Sequence, residues 1–304
     1  MMTIRLIDDI AVCRNVWEQV WPGDHLFDAW QVRECFHKAY DHPICFVVAE
    51  ENGRVAGLMA LSWAEELGRF CHFPGEIWNG KTWLEQNKVI CSSQAVLEEM
   101  FDRLPGPSHV RYLLDDMAIG DFGCFGEDEI GYFFYPDRHH YSFDHYWNAF
   151  PGKKRKKLAQ EMARLENMGV EIRHEHSGKC LDLLFRMNLE WYGENSYFCD
   201  PRFLNGFIYL TQWLEKEGAL HVTTVTIGGK LAAIDMGAII NNQYTVLAGG
   251  TDACFPGVAK LINFHHLAFS CERKFSQVDF LCGDFGWKCR FNLSPRPYYA
   301  FTIH

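Results

Sequence analysis

The 304-residue chain has 12 cysteines, yet no two stand at Cys-x-x-Cys spacing, so no paired thiol motif for redox chemistry or zinc is written into it. Spread singly from Cys13 to Cys289, they read as small buried hydrophobes in a reducing compartment. No apolar run approaches the ~18 residues of a membrane span. Asp8 and Asp9 stand where a secretory leader would need an apolar stretch, so no span is expected and the expected location is cytoplasmic. A basic excess is also missing: the net charge of -10 argues against DNA as a partner and weighs against tRNA. Metal-ligand spacing is absent too. The pairs His174-x-His176, His139-His140 and His265-His266 have no third and fourth ligand at zinc-site intervals, and no metal is expected.

What is present is an ordinary folded composition, with 48% hydrophobic and 22% charged residues and no low-complexity tract. The length suggests two domains of about 150 residues each. Two apolar, β-rich runs, 44–49 and 56–63, flank Asn52-Gly53, a pair that tolerates the positive φ angles of a tight hairpin turn. The device recurs with strands over 220–227 and 231–240 around Gly228-Gly229. After each hairpin come a helix (94–104; 258–273) and a strand (109–114; 277–281). This double order predicts an α/β chain with two related domains, 1–140 and 141–304, each a mixed sheet flanked by helices. The stretch 73–88, "FPGEIWNGKTWLEQNK", has no periodicity and reads as an ordered loop walling a substrate cleft.

The stretch 150–169, "FPGKKRKKLAQEMARLENMG", reads as a helix ending at Gly169, with Leu158, Met162 and Leu165 on one stripe. Its first turns carry Lys153, Lys154, Arg155, Lys156 and Lys157. A helix N-terminus is already positive, so this run needs either water or an anionic group. Lys154 and Arg155 are the candidate contacts to such a group.

This helix, a later helix ending in "LEWYGENSYF", the hairpin "TIGGKLAAIDMGAI", the strand "YTVLAGGTD", the helix "PGVAKLINFHHLAFSCERK" and the strand into "VDFLCGDFGWKCRF" together resemble the GNAT-like acyltransferases. More narrowly, they are similar to the group related to the FemAB aminoacyltransferases and the BioF2-like (CelD-type) acetyltransferase domains. The resemblance covers roughly 150–292; over the first half it is limited to the hairpin pattern. It implies a tandem of two GNAT-like domains, each a mixed, mainly antiparallel sheet flanked by helices, the first either intact or a degenerate copy. It also implies acyl transfer to an amine from acetyl-CoA or another acyl-CoA, or from aminoacyl-tRNA in the Fem branch. A small molecule or a cell-envelope precursor would carry the amine. One departure stands out: the family's Arg/Gln-x-x-Gly-x-Gly/Ala loop is here Cys254-Phe-Pro-Gly257-Val-Ala259, without the first residue or the second glycine.

Such a transfer needs a seat for the donor's phosphates, stabilisation of an oxyanion and a path for the amine proton. Pro256, Gly257, Val258, Ala259 and Lys260 open a helix whose free amides and dipole favour a pyrophosphate, or they are an ordinary Pro-started helix. Ala248 and Gly249 end the strand expected beside the donor's arm. Asp235, in an apolar strand, is a general base raised in pKa by burial, or an acid on a solvent face. Beyond the strand at 279–282, where alternation turns Asp279 and Leu281 one way and Phe280 and Cys282 the other, Asp284 is expected to orient the amine. Lys288 is expected to hold developing negative charge, or the two close the loop as an ion pair. Trp191 and Tyr197, with Glu190 and Tyr192, form an acceptor lip or helix-packing core. Neither Cys282 nor Cys289 has a histidine at telling spacing, which favours direct transfer over a covalent intermediate. A non-catalytic acyl- or nucleotide-binding protein is the alternative outside enzymes.

Overall fold

The computed structural model describes residues 2–115, 123–283 and 286–304. In chain order its elements are β1 (Met2–Ile7), α1 (Ile10–Val20), α2 (Trp30–Tyr40), β2 (Ile44–Glu51), β3 (Arg54–Ala64), β4 (Arg69–His72), β5 (Ile90–Cys91), α3 (Gln94–Phe101), β6 (Ser108–Leu113) and β7 (Phe125–Phe134). There follow α4 (Phe143–Asn148), α5 (Gly152–Glu166), β8 (Val170–Glu175), α6 (Leu181–Tyr192), α7 (Pro201–Lys216), β9 (Leu220–Ile227), β10 (Lys230–Ile240), β11 (Gln243–Thr251), α8 (Val258–Arg273), β12 (Gln277–Cys282) and β13 (Ser294–Ile303).

Two compact units result, Met1–Ile130 with Asp200–Leu210 and Arg296–His304, and Gly131–Cys199 with Thr211–Pro295. In the first the strand order is β1-β2-β3-β4-β6-β13, with β5 also on β3. Its ladders are antiparallel except for β4 beside β6. In the second, β8-β9-β10-β11-β12 is followed by residues 131–134 of β7, antiparallel except for β11 beside β12. Each half of the chain repeats one plan: a strand, two helices, a three-strand meander, then a helical crossover into a parallel neighbour. The tandem is therefore real, but a single cut at residue 140 does not describe it. The strand completing each sheet comes from the other half of the chain, β13 on β6 and β7 on β12.

Local chemistry accounts for the elements. The Asp9 carboxylate caps α1 by accepting the Val12 amide at 2.9 Å. Strand β2 alternates, with Val47 and Ala49 packed with Val96, Leu97 and Met100 of α3, and Phe46 and Val48 with Trp17, Trp21 and Trp30. Both hairpin turns take positive φ at each central residue, 51° and 75° at Asn52-Gly53 and 57° and 77° at Gly228-Gly229.

The stretch 73–88, expected as an ordered loop walling a cleft, is largely buried. It is irregular but sunk into the first unit, where Glu76, Glu85, Gln86, Asn87 and Lys88 are each at most 3% exposed. Glu76 is satisfied locally: its Oε1 accepts from Thr82 Oγ1 at 2.5 Å and from the amides of Trp83 and Leu84 at 2.9 and 2.8 Å.

Candidate functional site

Within the second unit, direct cross-strand pairing puts His174 of β8, Thr223 of β9, Asp235 of β10 and Gly249 of β11 in one row. Directly opposed residues share a sheet face. Helix α8 packs on β9, β10 and β11. From it His266, fully buried, bonds Asp235 Oδ2 through Nε2 at 2.8 Å. The Tyr244 hydroxyl lies 3.2 Å from His266 Nδ1. Two glycines make room for these polar groups. A Cβ on Gly249 would sit 2.2 Å from Asp235 Oδ1, and one on Gly237 would sit 2.3 Å from the Tyr244 ring. Asp235 itself is 6% exposed, which answers the question its sequence setting left open: it faces the helix-covered side, not water.

Strand β11 is also the edge at which the sheet opens. Its ladder with β12 covers only Gln243, Tyr244 and Thr245, although β11 runs on to Thr251. Ala248 and Gly249 lie on that free stretch, and the Gly249 carbonyl accepts from Asn188 Nδ2 at 2.8 Å. Ser196 Oγ in turn donates to Asn188 Oδ1 at 2.7 Å, fixing α6 to the strand. The turn after β11 brings Pro256 and Gly257 (φ 100°) to the start of α8. An added Cβ at Gly257 would meet only Leu165 Cδ1, at 3.7 Å. Of the first-turn amides, that of Val258 bonds the Phe255 carbonyl at 3.1 Å and that of Lys260 the Gly257 carbonyl at 3.0 Å. Lys260 Nζ is paired with Glu161 Oε2 of α5 at 2.5 Å, and Arg164 donates to the Pro256 carbonyl at 2.8 Å.

The remaining sequence candidates lie elsewhere in this unit. Lys288 is 2% exposed, and its ammonium donates to the carbonyls of Leu281 and Cys282 at 2.8 and 2.5 Å. These carbonyls are within its reach because strict alternation fails at Leu281, whose φ is 61° where the β12–β7 register shifts. Lys154 donates to the Arg290 carbonyl at 2.6 Å, and Arg155 bonds Asn148 Oδ1. Both basic residues thus tie backbone or neighbouring side chains, while Lys153, Lys156 and Lys157 stay exposed. Trp191 is exposed at the end of α6, and Tyr197 is half-buried in the turn that follows. Asp284 lies outside the described residues. Among the described residues no three His, Cys, Asp or Glu side chains are placed to hold a metal ion.

Residues 152–289 match the family model of the acetyltransferase (GNAT) domain. That segment is similar to a GNAT-type domain. The whole chain has the fold of tandem GNAT proteins. It superposes on FemX with a TM-score of 0.61 at 10% identity, covering 98% of this chain and 97% of that one. With L-PGS from Bacillus licheniformis the TM-score is 0.60 at 14% identity, over 97% and 92% of the two chains. With a tandem GNAT protein from the clavulanic acid biosynthesis pathway it is 0.52 at 10% identity, over 100% and 98%. No curated protein matches the sequence. No helix among the described residues is long and apolar enough to cross a membrane.

What sequence reasoning missed in the GNAT domain is the company Asp235 keeps. His266 was visible only as half of a His-His pair, and Thr223, Gly237 and Tyr244 carried no signal beyond strand pattern. A histidine cluster extends from them. His174 Nε2 lies 3.1 Å from His265 Nε2, and the His221 ring packs 4.7 Å from His174 and 4.8 Å from Phe269. Burial, and then neighbouring imidazoles, push His221 down from 6.5 to about 3 and His265 down to about 4. The unfolded chain would bind their protons near 6.5. The stability they contribute is therefore whole above that pH and lost as pH falls toward 3–4. From pH 7 to pH 5 the expected loss is roughly 2 kcal/mol for each, read as a lower urea midpoint. Neither His221 nitrogen has a partner. His221→Phe should thus fold and show a shallower pH slope; an unchanged slope would locate the acid sensitivity elsewhere.

Proposed function

We propose that the GNAT domain is the catalytic unit of an N-acyltransferase that moves an acyl group, acetyl first among them, from acyl-CoA to an amine by direct transfer in a ternary complex. The observation that carries this reading is the β11 edge, freed after three ladder pairs, running into the open Gly257 turn at the start of α8. Strand N–H groups without a β12 partner, next to a helix N-terminus, suit an extended donor ending in phosphates. Ala248 and Gly249 would line its arm, and Pro256, Gly257, Val258 and Ala259 its pyrophosphate. With its ammonium held by Glu161, Lys260 would contribute charge at the rim.

The bound donor supplies an acyl carbon open to attack. Asp235 is the base that takes the amine's proton. In this reading Lys288 acts through the backbone it fastens at Leu281 and Cys282, and Asp284 orients the amine. Lys154 and Arg155 hold the wall beside Arg290 and Asn148, and Trp191 and Tyr197 meet the acceptor, an amine on a small molecule or cell-envelope precursor. With acyl-CoA as donor the reaction belongs to the cytoplasm, and no metal enters it.

The test is thiol release from acetyl-CoA across a panel of amines, together with calorimetric titration of CoA. Binding of CoA without thiol release for any amine would leave a binding protein. The exposed Lys153, Lys156 and Lys157 favour one rival donor, aminoacyl-tRNA. Donor binding that weakens by orders of magnitude between 50 and 200 mM salt, as phosphate-dominated contacts do, would decide for it.

A further inference from the structure

In the second unit the sheet opens between β11 and β12 after three ladder pairs. In the first unit β4 and β6 hold the same places in the plan, and they part sooner. Phe70 opposite Ser108 is the one ladder pair they form among the described residues, although β6 runs on to Leu113. Strand β13 takes the far edge of β6, which leaves the edge facing the gap in need of a partner. The chain itself supplies one. Asn87 lies parallel to Leu113; its amide donates to the Tyr112 carbonyl at 2.8 Å, and its carbonyl accepts from the Leu114 amide at 2.9 Å. Its Nδ2 donates to the Arg111 carbonyl at 2.7 Å.

The segment around Asn87 reaches the gap because residues 73–93 join β4 to α3, where only 252–257 join β11 to α8. Apolar anchors sink it: Leu84 is fully buried, and the Trp83 ring packs edge-on against Phe27, Phe203 and Phe207 at 5.5–5.7 Å. Buried charges fasten it. Glu76 accepts the amides of Trp83 and Leu84, Arg33 Nη2 donates to the Glu85 carbonyl at 3.1 Å, and Lys88 meets Asp28 at 2.5 Å. What remains of the gap is a cavity of about 20 Å³ bordered by His72, Arg111, Leu84 and Asn87. That holds about one water and is far too small for a thioester arm. Two further differences from the second unit agree. Ser93 Oγ caps α3 by accepting the Val96 amide at 3.4 Å, whereas no side chain caps α8. The β2–β3 and β9–β10 ladders share one bulge, with Gly57 opposite Ala49 and Ala233 opposite Val225. Counted from it, the apolar Met59 stands where Asp235 does, packed with Val47, Val96 and Met100.

We propose that residues 83–89 are an intrachain plug in the first unit's counterpart of the donor cleft, so that each chain takes a single donor, in the second unit. That count rests on the acyl-CoA reading of the second unit, whereas the plug rests on the first unit's own contacts. To admit a donor between β4 and β6, the segment would have to leave. Asp28 would then lose its ammonium, Glu76 its two amides and Arg33 the Glu85 carbonyl, and these three side chains are each at most 3% exposed. Leaving such groups buried without partners is costly. The plug is therefore core and not a lid, and with Met59 in place of an acid the first unit keeps the plan of its neighbour without its chemistry.

Amide hydrogen exchange of the full chain, with and without CoA, tests this. Without CoA, the amides of Trp83, Leu84, Asn87 and Leu114 should exchange as slowly as those of β2 and β3, on the order of 1,000-fold or more below an unstructured peptide. Exchange as fast as that of the Asn52-Gly53 turn would make the segment a lid and overturn the plug. With saturating CoA, new protection is expected over 244–260 and none over 69–72, 83–89 or 108–114. Calorimetric titration should count one CoA per chain. Two per chain, or CoA protection in those first-unit segments, overturns the proposal. A chain that binds no CoA loses the acyl-CoA reading of the second unit and the count of one with it. The plug is then decided by the exchange rates measured without CoA, so the two failures are told apart.

Discussion

Asp235→Asn lowers kcat for amine acetylation at least about 100-fold, the share that general-base catalysis typically supplies. The substitution is nearly isosteric, and the amide oxygen can still accept from His266 Nε2, so the pairing at 2.8 Å and the fit beside Gly249 survive. What is lost is the ability to take a proton. The check is steady-state thiol release with melting temperature measured in parallel. A variant that melts with the wild type and has lost only kcat supports the base. A loss confined to KM, or a rate within about threefold of wild type, would move proton removal to another group. Asp235→Leu is the harsher control: it removes the acceptor from a fully buried His266, and that variant is expected to lose stability as well.

Much of the turn and strand pattern of both units was legible because its signals are local. Asn52-Gly53 and Gly228-Gly229 announce their turns by backbone tolerance alone. A carboxylate at Asp235 in the middle of an apolar strand was conspicuous by the same logic. The partner of that carboxylate was not legible, since His266 arrives by the packing of α8 on β10, 31 residues away. Lys288 misled for a related reason. A lysine near a sheet's carboxyl edge reads as a free charge, and only the bulge at Leu281 shows that backbone carbonyls claim it. The exchange of β7 and β13 between the halves of the chain was equally hidden, because an alternating strand fits either sheet edge and nothing local says which. In the first unit 73–88 reads as an ordered loop walling a cleft, whereas tertiary structure buries its charges Glu76, Glu85 and Lys88.

Those buried charges make the second large prediction. Asp28→Ala is expected to destabilise the first unit by about 3–5 kcal/mol, the usual cost of breaking a buried ion pair from one side. Asp28 and Lys88 are 3% exposed each and meet at 2.5 Å. The same carboxylate accepts from Trp21 Nε1 at 2.9 Å and from the amides of Asp24 and His25 at 3.0 and 3.1 Å. Removing it strands an ammonium and an indole N–H in a core built on Trp17, Trp21 and Trp30. Against a typical total of 5–15 kcal/mol, a loss of that size would unfold much of the population well below the wild-type midpoint. Because the cost is the uncompensated charge and not the missing attraction, Asp28→Ala combined with Lys88→Met should be more stable than Asp28→Ala alone. Urea unfolding of the four members of this cycle measures it. A double variant no more stable than the Asp28 single variant would show that the Trp21 and amide contacts, not the ion pair, are what Asp28 holds together.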